Sequence, residues 1–240
     1  MSLRLEELSP DVVAVVTDIE GTTTDIAFVH DVLFPYARSR MPVWLGEHAQ
    51  EPAIAAALDD VRTEINEPDA DLARVIEALE QWMDADKKIT PLKTLQGMIW
   101  RHGYEAEDFA GHVFDDAVAA LQTWADDRRM LCVYSSGSVD AQKLLFTHSD
   151  HGDLSHLFSG YFDTQMGPKK KASSYKRIAQ ELGEAPGSLL FLSDVGEELD
   201  AAKAAGWQTC WVARDEQTMD KATESEAHAV VSSFEEIDLI

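Results

Sequence analysis

Two carboxylates, Asp18 and Glu20 in the run VVTDIEGTTTD, are the first residues of this chain equipped for chemistry. A carboxylate can attack an electrophilic centre, and a second one two positions on can exchange protons with the leaving group. Asp18 fits the first role and Glu20 the second, while Gly21 lets the backbone turn sharply behind them. The same letters also describe a strand end capped by acids. Three other places carry comparable equipment. YSSGS sets hydroxyls, Ser135 and Ser136 among them, before a helical pattern, where they and the backbone N–H groups cradle an anion, or Ser136 or Ser138 simply caps the helix. FLSDVGEE offers Asp194 and Glu198 at another helix start, a normal place for acids. GPKKK holds Lys169, Lys170 and Lys171, a basic cluster in an acidic chain that also suits a solvated face.

What would bring these groups together is a sheet. Short apolar runs stand at residues 12–16, 130–134, 189–192 and 209–213, with a fifth at 227–231, separated by longer amphipathic stretches. Uninterrupted apolar runs alternating with helical patterns predict a parallel sheet covered on both faces. In such sheets ligands bind beyond the carboxyl ends of the strands. Asp18, Ser135, Ser136 and Asp194 follow three of the runs directly, and Lys169 lies between the second and third. Converging in one crevice, they supply two carboxylates for a hard cation, a hydroxyl cradle and an ammonium. That is the equipment of Mg²⁺-assisted phosphoryl transfer. Between the first two runs the pattern is helical instead, at residues 29–48, 53–65, 70–83 and 92–101, with Pro52, Pro68 and Pro91 near the last three starts. So long a block is no crossover loop. The expected layout is an α/β core of residues 1–26 plus 107–240 and a helical insertion of residues 27–106. Residues 108–127 form a returning core helix.

The whole chain of 240 residues carries 44 acidic and 20 basic side chains, a formal net charge of −24. Nucleic acid and anionic membrane surfaces are excluded as partners by repulsion. No run of 18 apolar residues occurs, and the opening MSLRLEELSP has no apolar signal region, so a cytoplasmic protein is expected. Cys132 and Cys210 sit inside apolar runs and read as core thiols. The eight histidines lack zinc-site spacing. Trp82, Trp100 and Trp124 fall at core spacing in helices, and Phe28, Phe34 and Tyr36 are expected to pack between insertion and core.

In their order along the chain, the four sites resemble the haloacid dehalogenase superfamily. DIEGTTTDIAFVHDVLFPYA, LQGMIWRHGY, YSSGSVDAQKLLFTHS, GYFDTQMG and FLSDV narrow this to a resemblance to the enolase-phosphatases of methionine salvage, over residues 13–212. Glu20 stands where most of the superfamily has Asp. The resemblance implies a Rossmann-like core with an all-helical cap inserted after the first strand. It makes Asp18 the nucleophile and a Mg²⁺ ligand, and Glu20 the acid/base group and a ligand through its main-chain carbonyl. Ser135 and Ser136 would hold the substrate phosphate, Lys169 would bridge phosphate and nucleophile, and Asp194 would complete the shell of one Mg²⁺ per chain. Glu198 would be the outer acidic residue. The implied substrate is a phosphorylated diketone, 2,3-diketo-5-methylthiopentyl-1-phosphate, converted by a monomer to 1,2-dihydroxy-3-keto-5-methylthiopentene and phosphate. Glu20 and a cap residue are both candidates for the enolising base. Another phosphatase or a phosphomutase on the same core is the alternative, as is a noncatalytic binding protein of this fold, although Asp18 and Asp194 are both retained. The chain departs from the family at Thr147, Ser193 and Lys171, where Gly, Thr and often Glu are usual. Among the three lysines, spacing from Gly167 selects Lys169.

Overall fold

The computed structural model describes residues 11–85, 87, 89–225 and 227–239; the polar opening, residues 1–10, lies outside them. Six short strands, β1 (Ala14–Thr17), β2 (Met130–Tyr134), β3 (Gly160–Phe162), β4 (Leu189–Ser193), β5 (Gln208–Val212) and β6 (Ala229–Val231), form one sheet. All neighbours pair in parallel, in the order β3-β2-β1-β4-β5-β6. β1 is central, with Ala14 opposite Met130 on one side and Leu189 on the other. Its four residues are all buried, which is why the strand reads as an unbroken apolar run. Five strands lie within or beside the apolar runs read from the sequence. β3 has no such run, because it is only three residues long and begins with a glycine at the edge of the sheet.

Ala14, Val16, Cys132, Tyr134, Leu189 and Phe191 share one face of the sheet. They pack against Tyr175 and Ile178 of one helix and Leu199 and Ala202 of another. The fold is α/β, a Rossmann-like parallel sheet with flanking helices. The returning helix, α5, is shorter than its apolar pattern, covering Asp115–Asp126 rather than residues 108–127. Val113, Ala117, Leu121 and Trp124 are all buried at helical spacing, so the pattern runs past the first turn. Both cysteines are buried and free.

Contacts divide the chain into two units: one ends at Ile26 and resumes at Gly111, and the other is Ala27–Ala110. The second unit opens with a π-helical turn, Val29–Leu33, in which the Phe34 N–H reaches back to the Val29 carbonyl. Four helices follow: α1 (Phe34–His48), α2 (Pro52–Glu64), α3 (Leu72–Asp84) and α4 (Thr90–Glu105). Ala37/Met41/Leu45, Ile54/Leu58/Val61, Val75/Leu79/Trp82 and Leu92/Leu95/Ile99 line their inner faces at i, i+3 and i+4 spacing and make a separate core. Pro52 starts α2, and Asp71 caps α3 by accepting the Arg74 N–H. Trp100 is not simply core: its indole donates to the Leu33 carbonyl at 2.8 Å. Phe28 and Tyr36 both pack on Phe109 within this unit. Among the described residues no helix is long and apolar enough to cross a membrane.

Candidate active site

Asp18 is the residue immediately after β1, and its N–H continues the ladder by donating to the Leu192 carbonyl of β4. The chain then turns tightly, with the N–H groups of Thr22, Thr23 and Thr24 all donating to the Ile19 carbonyl. Gly21 has φ +74°, and a Cβ there would lie 2.3 Å from Asp194 Oδ2. A side chain at this position would push the Asp194 carboxylate away, so glycine is required twice over. Thr22 is fully buried, and its hydroxyl accepts the Asp194 N–H at 3.1 Å.

Lys169 Nζ lies 2.6 Å from Asp18 Oδ1 and 2.7 Å from Glu198 Oε2. Asp18 Oδ1 also accepts the Ile19 N–H at 2.8 Å. Burial works against the Lys169 ammonium, but Asp18 and then Glu198 outweigh it and raise its pKa above the usual lysine value. Its loop follows β3 and is pinned from two sides. Tyr134 donates its hydroxyl to the Gly167 carbonyl at 2.9 Å, and Ser174 donates to the Pro168 carbonyl at 2.8 Å. Gly167 has φ +125°, and a Cβ there would meet Ser174 Oγ at 2.4 Å. The three adjacent lysines are thereby sorted: Lys169 is buried, whereas Lys170 and Lys171 are exposed. Lys170 Nζ lies 3.7 Å from Glu197, outside the cluster.

The hydroxyl site follows β2. Ser135 is buried, donates to Glu20 Oε2 at 3.2 Å and accepts the Gly137 N–H at 3.1 Å. Ser136 is exposed at the start of the same loop, and the helix cap is Ser138, whose side chain accepts the Ala141 N–H of helix α6 (Val139–Thr147). The Gln142 amide, on the first turns of this helix, donates to the Gly137 and Phe162 carbonyls at 2.9 and 2.8 Å. It holds the loop against the end of β3. Ser193, in place of threonine, keeps the hydroxyl in use: it accepts the Val195 N–H at 3.1 Å and lies 3.2 Å from Glu198 Oε2 and 3.5 Å from Asp18 Oδ2. Thr147 ends α6, and exposed Lys171 precedes the next helix.

The site therefore gathers four carboxylates, Asp18, Glu20, Asp194 and Glu198, around one ammonium that touches only Asp18 and Glu198, and the excess of negative charge shows in the acids. Burial and then the Asp18 charge raise Glu20 above the ordinary carboxylate range. The same two causes push Asp194 up to about 7. Asp194 Oδ1 is buried without a hydrogen-bond partner among the described residues. No group of three or more His, Cys, Asp or Glu side chains there forms a metal cluster. The donor set at issue needs only two, Asp18 and Asp194, with a main-chain carbonyl. An all-oxygen set with a surplus of negative charge and one unsatisfied carboxylate oxygen fits a hard divalent cation such as Mg²⁺. Thr22, Tyr134 and Gln142 were missed by sequence reasoning. They act through main-chain bonds; Tyr134 ends β2 and Thr22 lies five residues past β1, whereas Gln142 sits inside the following helix and carries no positional signal.

The family model for haloacid dehalogenase-like hydrolases matches residues 12–206. The chain is 54% identical over 227 residues to enolase-phosphatase E1 of Yersinia enterocolitica, covering 94% of this chain and 96% of that protein. It is 53% identical over 225 residues to enolase-phosphatase E1 of Azotobacter vinelandii, with the same coverage of 94% and 96%. Among solved structures it is similar to the UTR4 protein of Saccharomyces cerevisiae. That match has a TM-score of 0.79 and 29% identity, and spans 93% of this chain and 99% of that one.

Proposed function

The chain belongs to the enolase-phosphatase family of haloacid dehalogenase-like hydrolases, and from that premise and the geometry above we propose how its residues divide the work. The reaction is enolisation and dephosphorylation of 2,3-diketo-5-methylthiopentyl-1-phosphate in methionine salvage, giving the acireductone and inorganic phosphate. In the phosphatase step an Asp18 oxygen attacks phosphorus, the bond to the substrate oxygen breaks, and Glu20 gives that oxygen its proton. Burial and the Asp18 charge raise the Glu20 pKa, which favours the protonated form that donates. A water then attacks the aspartyl phosphate, Glu20 takes a proton from it, and Asp18 is regenerated as phosphate leaves. Ser135 and Ser136 hold the phosphate oxygens with the N-terminus of α6, and Lys169 screens phosphate from nucleophile. Glu198 keeps Lys169 aimed at Asp18.

Asp18, Asp194 and the main-chain carbonyl of Glu20 would hold one Mg²⁺, which when bound neutralises charge on the phosphate oxygens and on the surrounding acids. The orphaned Asp194 Oδ1 supports that assignment. The observation that carries the phosphoryl-transfer reading is the buried Lys169 ammonium, 2.6 Å from Asp18 and 2.7 Å from Glu198. Residues 27–106 are proposed as the cap that selects the substrate, with residues 1–26 and 107–240 as the catalytic core. One chain supplies every group named, so we propose a cytoplasmic monomer. The test is to incubate the protein with the diketo phosphate and Mg²⁺, following enol absorbance and phosphate release separately. Both signals are expected; return of the phosphoryl group to a sugar, without free phosphate, would mark a mutase instead.

A further inference from the structure

Arg214 follows β5, and no motif marks it. Its side chain is 15% exposed, and the guanidinium pairs through Nη1 with Asp116 Oδ2 at 2.6 Å. Its Nε and Nη2 both donate to the main-chain carbonyl of Thr22, at 3.1 and 2.9 Å. The plane is held between rings, with its central carbon 4.3 Å from the Phe114 centroid and 5.2 Å from that of Phe234. Asp116 Oδ2 is fixed in turn by the Ser233 hydroxyl and the Phe234 N–H, at 2.8 and 2.7 Å. Arginine alone offers a planar fork that reaches a carbonyl and a carboxylate together.

Thr22 passes this constraint on. Its N–H donates to the Ile19 carbonyl in the turn behind Asp18, and its hydroxyl accepts the Asp194 N–H at 3.1 Å. The Asp194 peptide is held on its carbonyl by Trp211 Nε1, at 2.9 Å, and on its N–H by Thr22. The carboxylate itself has an unpartnered oxygen, so its aim depends on that peptide. We propose that Arg214 is a positioning residue that clamps Thr22 and thereby fixes Asp194 relative to Asp18, setting the affinity of the site for its divalent cation rather than the rate of phosphoryl transfer. The inference rests on the Mg²⁺ assignment above. Outer partners of metal ligands change metal affinity by roughly ten- to a hundred-fold when removed.

The test uses Arg214→Met, Thr22→Val, Thr22→Ser and, as a destabilised control at the opposite end of β5, Thr209→Val, which breaks the buried bond of 2.8 Å between the Thr209 hydroxyl and His228 Nδ1. Two readouts are taken: the Mg²⁺ concentration that half-saturates both phosphate release and the Mg²⁺-induced rise in melting temperature, and hydrogen exchange of the Asp194 amide in metal-free protein. Arg214→Met and Thr22→Val should need about ten-fold more Mg²⁺ or beyond, with kcat at saturating Mg²⁺ and KM nearly kept, and with faster Asp194 exchange. Thr22→Ser, which retains the hydroxyl, should restore both readouts, and Thr209→Val should melt earlier with unchanged Mg²⁺ dependence. Should Arg214→Met fail to fold, the Thr22→Val and Thr22→Ser pair decides. Unchanged Asp194 exchange and Mg²⁺ dependence in Thr22→Val overturns the relay, as does a fall in kcat with affinity intact. Faster exchange in the variants of a chain whose wild type ignores Mg²⁺ would uphold the clamp and overturn the metal assignment alone.

Discussion

Replacing Lys169 with methionine removes a charge while keeping an apolar stem of similar length. The side chain is 8% exposed, with carboxylate oxygens at 2.6 and 2.7 Å. Removing one partner of a buried ion pair costs about 3–5 kcal/mol, because the other charge stays behind unpaired. For a chain of 240 residues, unfolding entropy near 2 cal/mol/K per residue converts this to a fall in melting temperature of roughly 6–10 °C. The pH dependence identifies the source. Because the folded pKa of Lys169 is raised, its contribution is complete below the ordinary lysine pKa and constant between about pH 5 and 8. Any change of the deficit across that window therefore belongs to the acids, which take up protons as pH falls. The deficit of the metal-free variant should be largest at pH 8 and shrink toward pH 5. Phosphate release should fall at least about a hundred-fold, since a preorganised charge at the transferring group is lost. The enol should accumulate. Lys170→Met and Lys171→Met touch exposed side chains and should change stability by less than about 1 kcal/mol and activity little. Melting scans at three pH values, beside separate enol and phosphate assays, read all of this. A Lys169→Met variant that melts and releases phosphate like wild type, with Lys170→Met or Lys171→Met inactive, refutes the reasoning.

Asp18→Asn keeps shape but removes the attacking charge, so phosphate release should drop by several orders of magnitude; near-normal release would rule out an aspartyl phosphate. Chelation with EDTA should abolish turnover and Mg²⁺ should restore it, and full activity in metal-free buffer would sink the metal assignment. Asp194 has its pKa raised from 3.8 to about 7, so its ionisation penalises the folded metal-free chain as pH rises through that interval. Metal-free Asp194→Asn should accordingly match wild type near pH 4 and exceed it at pH 8 by up to about 4 kcal/mol, less what solvent at its edge screens. Denaturant melts at the two pH values check it, and Mg²⁺ should narrow the gap by favouring the wild type.

The strand ends were legible because a strand buried on both faces has to be written in apolar residues, as β1, β2, β4 and β5 are. The chemistry at those ends was legible because Asp and Ser were placed where such runs stop, whereas Lys169 stands in the loop after β3 and was legible from its spacing to Gly167. β3 escaped for lack of length, and the true start of Asp115–Asp126 escaped because burial of Val113 extends its apolar period backward. Three consecutive lysines are chemically identical in a string, and spacing from Gly167 alone singled out Lys169; the bonds from Tyr134 and Ser174 to the Gly167 and Pro168 carbonyls are what fix that register physically. Arg214 was invisible for a similar reason, since a bond to a backbone carbonyl leaves no trace in the identity of the residue that accepts it.

The strand order has a consequence for synthesis. β1 emerges first but needs β2 on one flank and β4 on the other, and β4 is made near the far end of the chain. The Ala27–Ala110 unit, by contrast, is continuous and makes its own core. A nascent chain can complete those helices while β1 is still waiting for its neighbours, and pairings this distant are slow to form. The Asp18/Glu20 and Asp194/Glu198 pairs, which crowd one another in the finished site, are thus kept apart until the sheet closes. A chain cut short before Leu189 would leave β1 as an apolar edge with its hydrogen-bonding groups exposed, a template for aggregation.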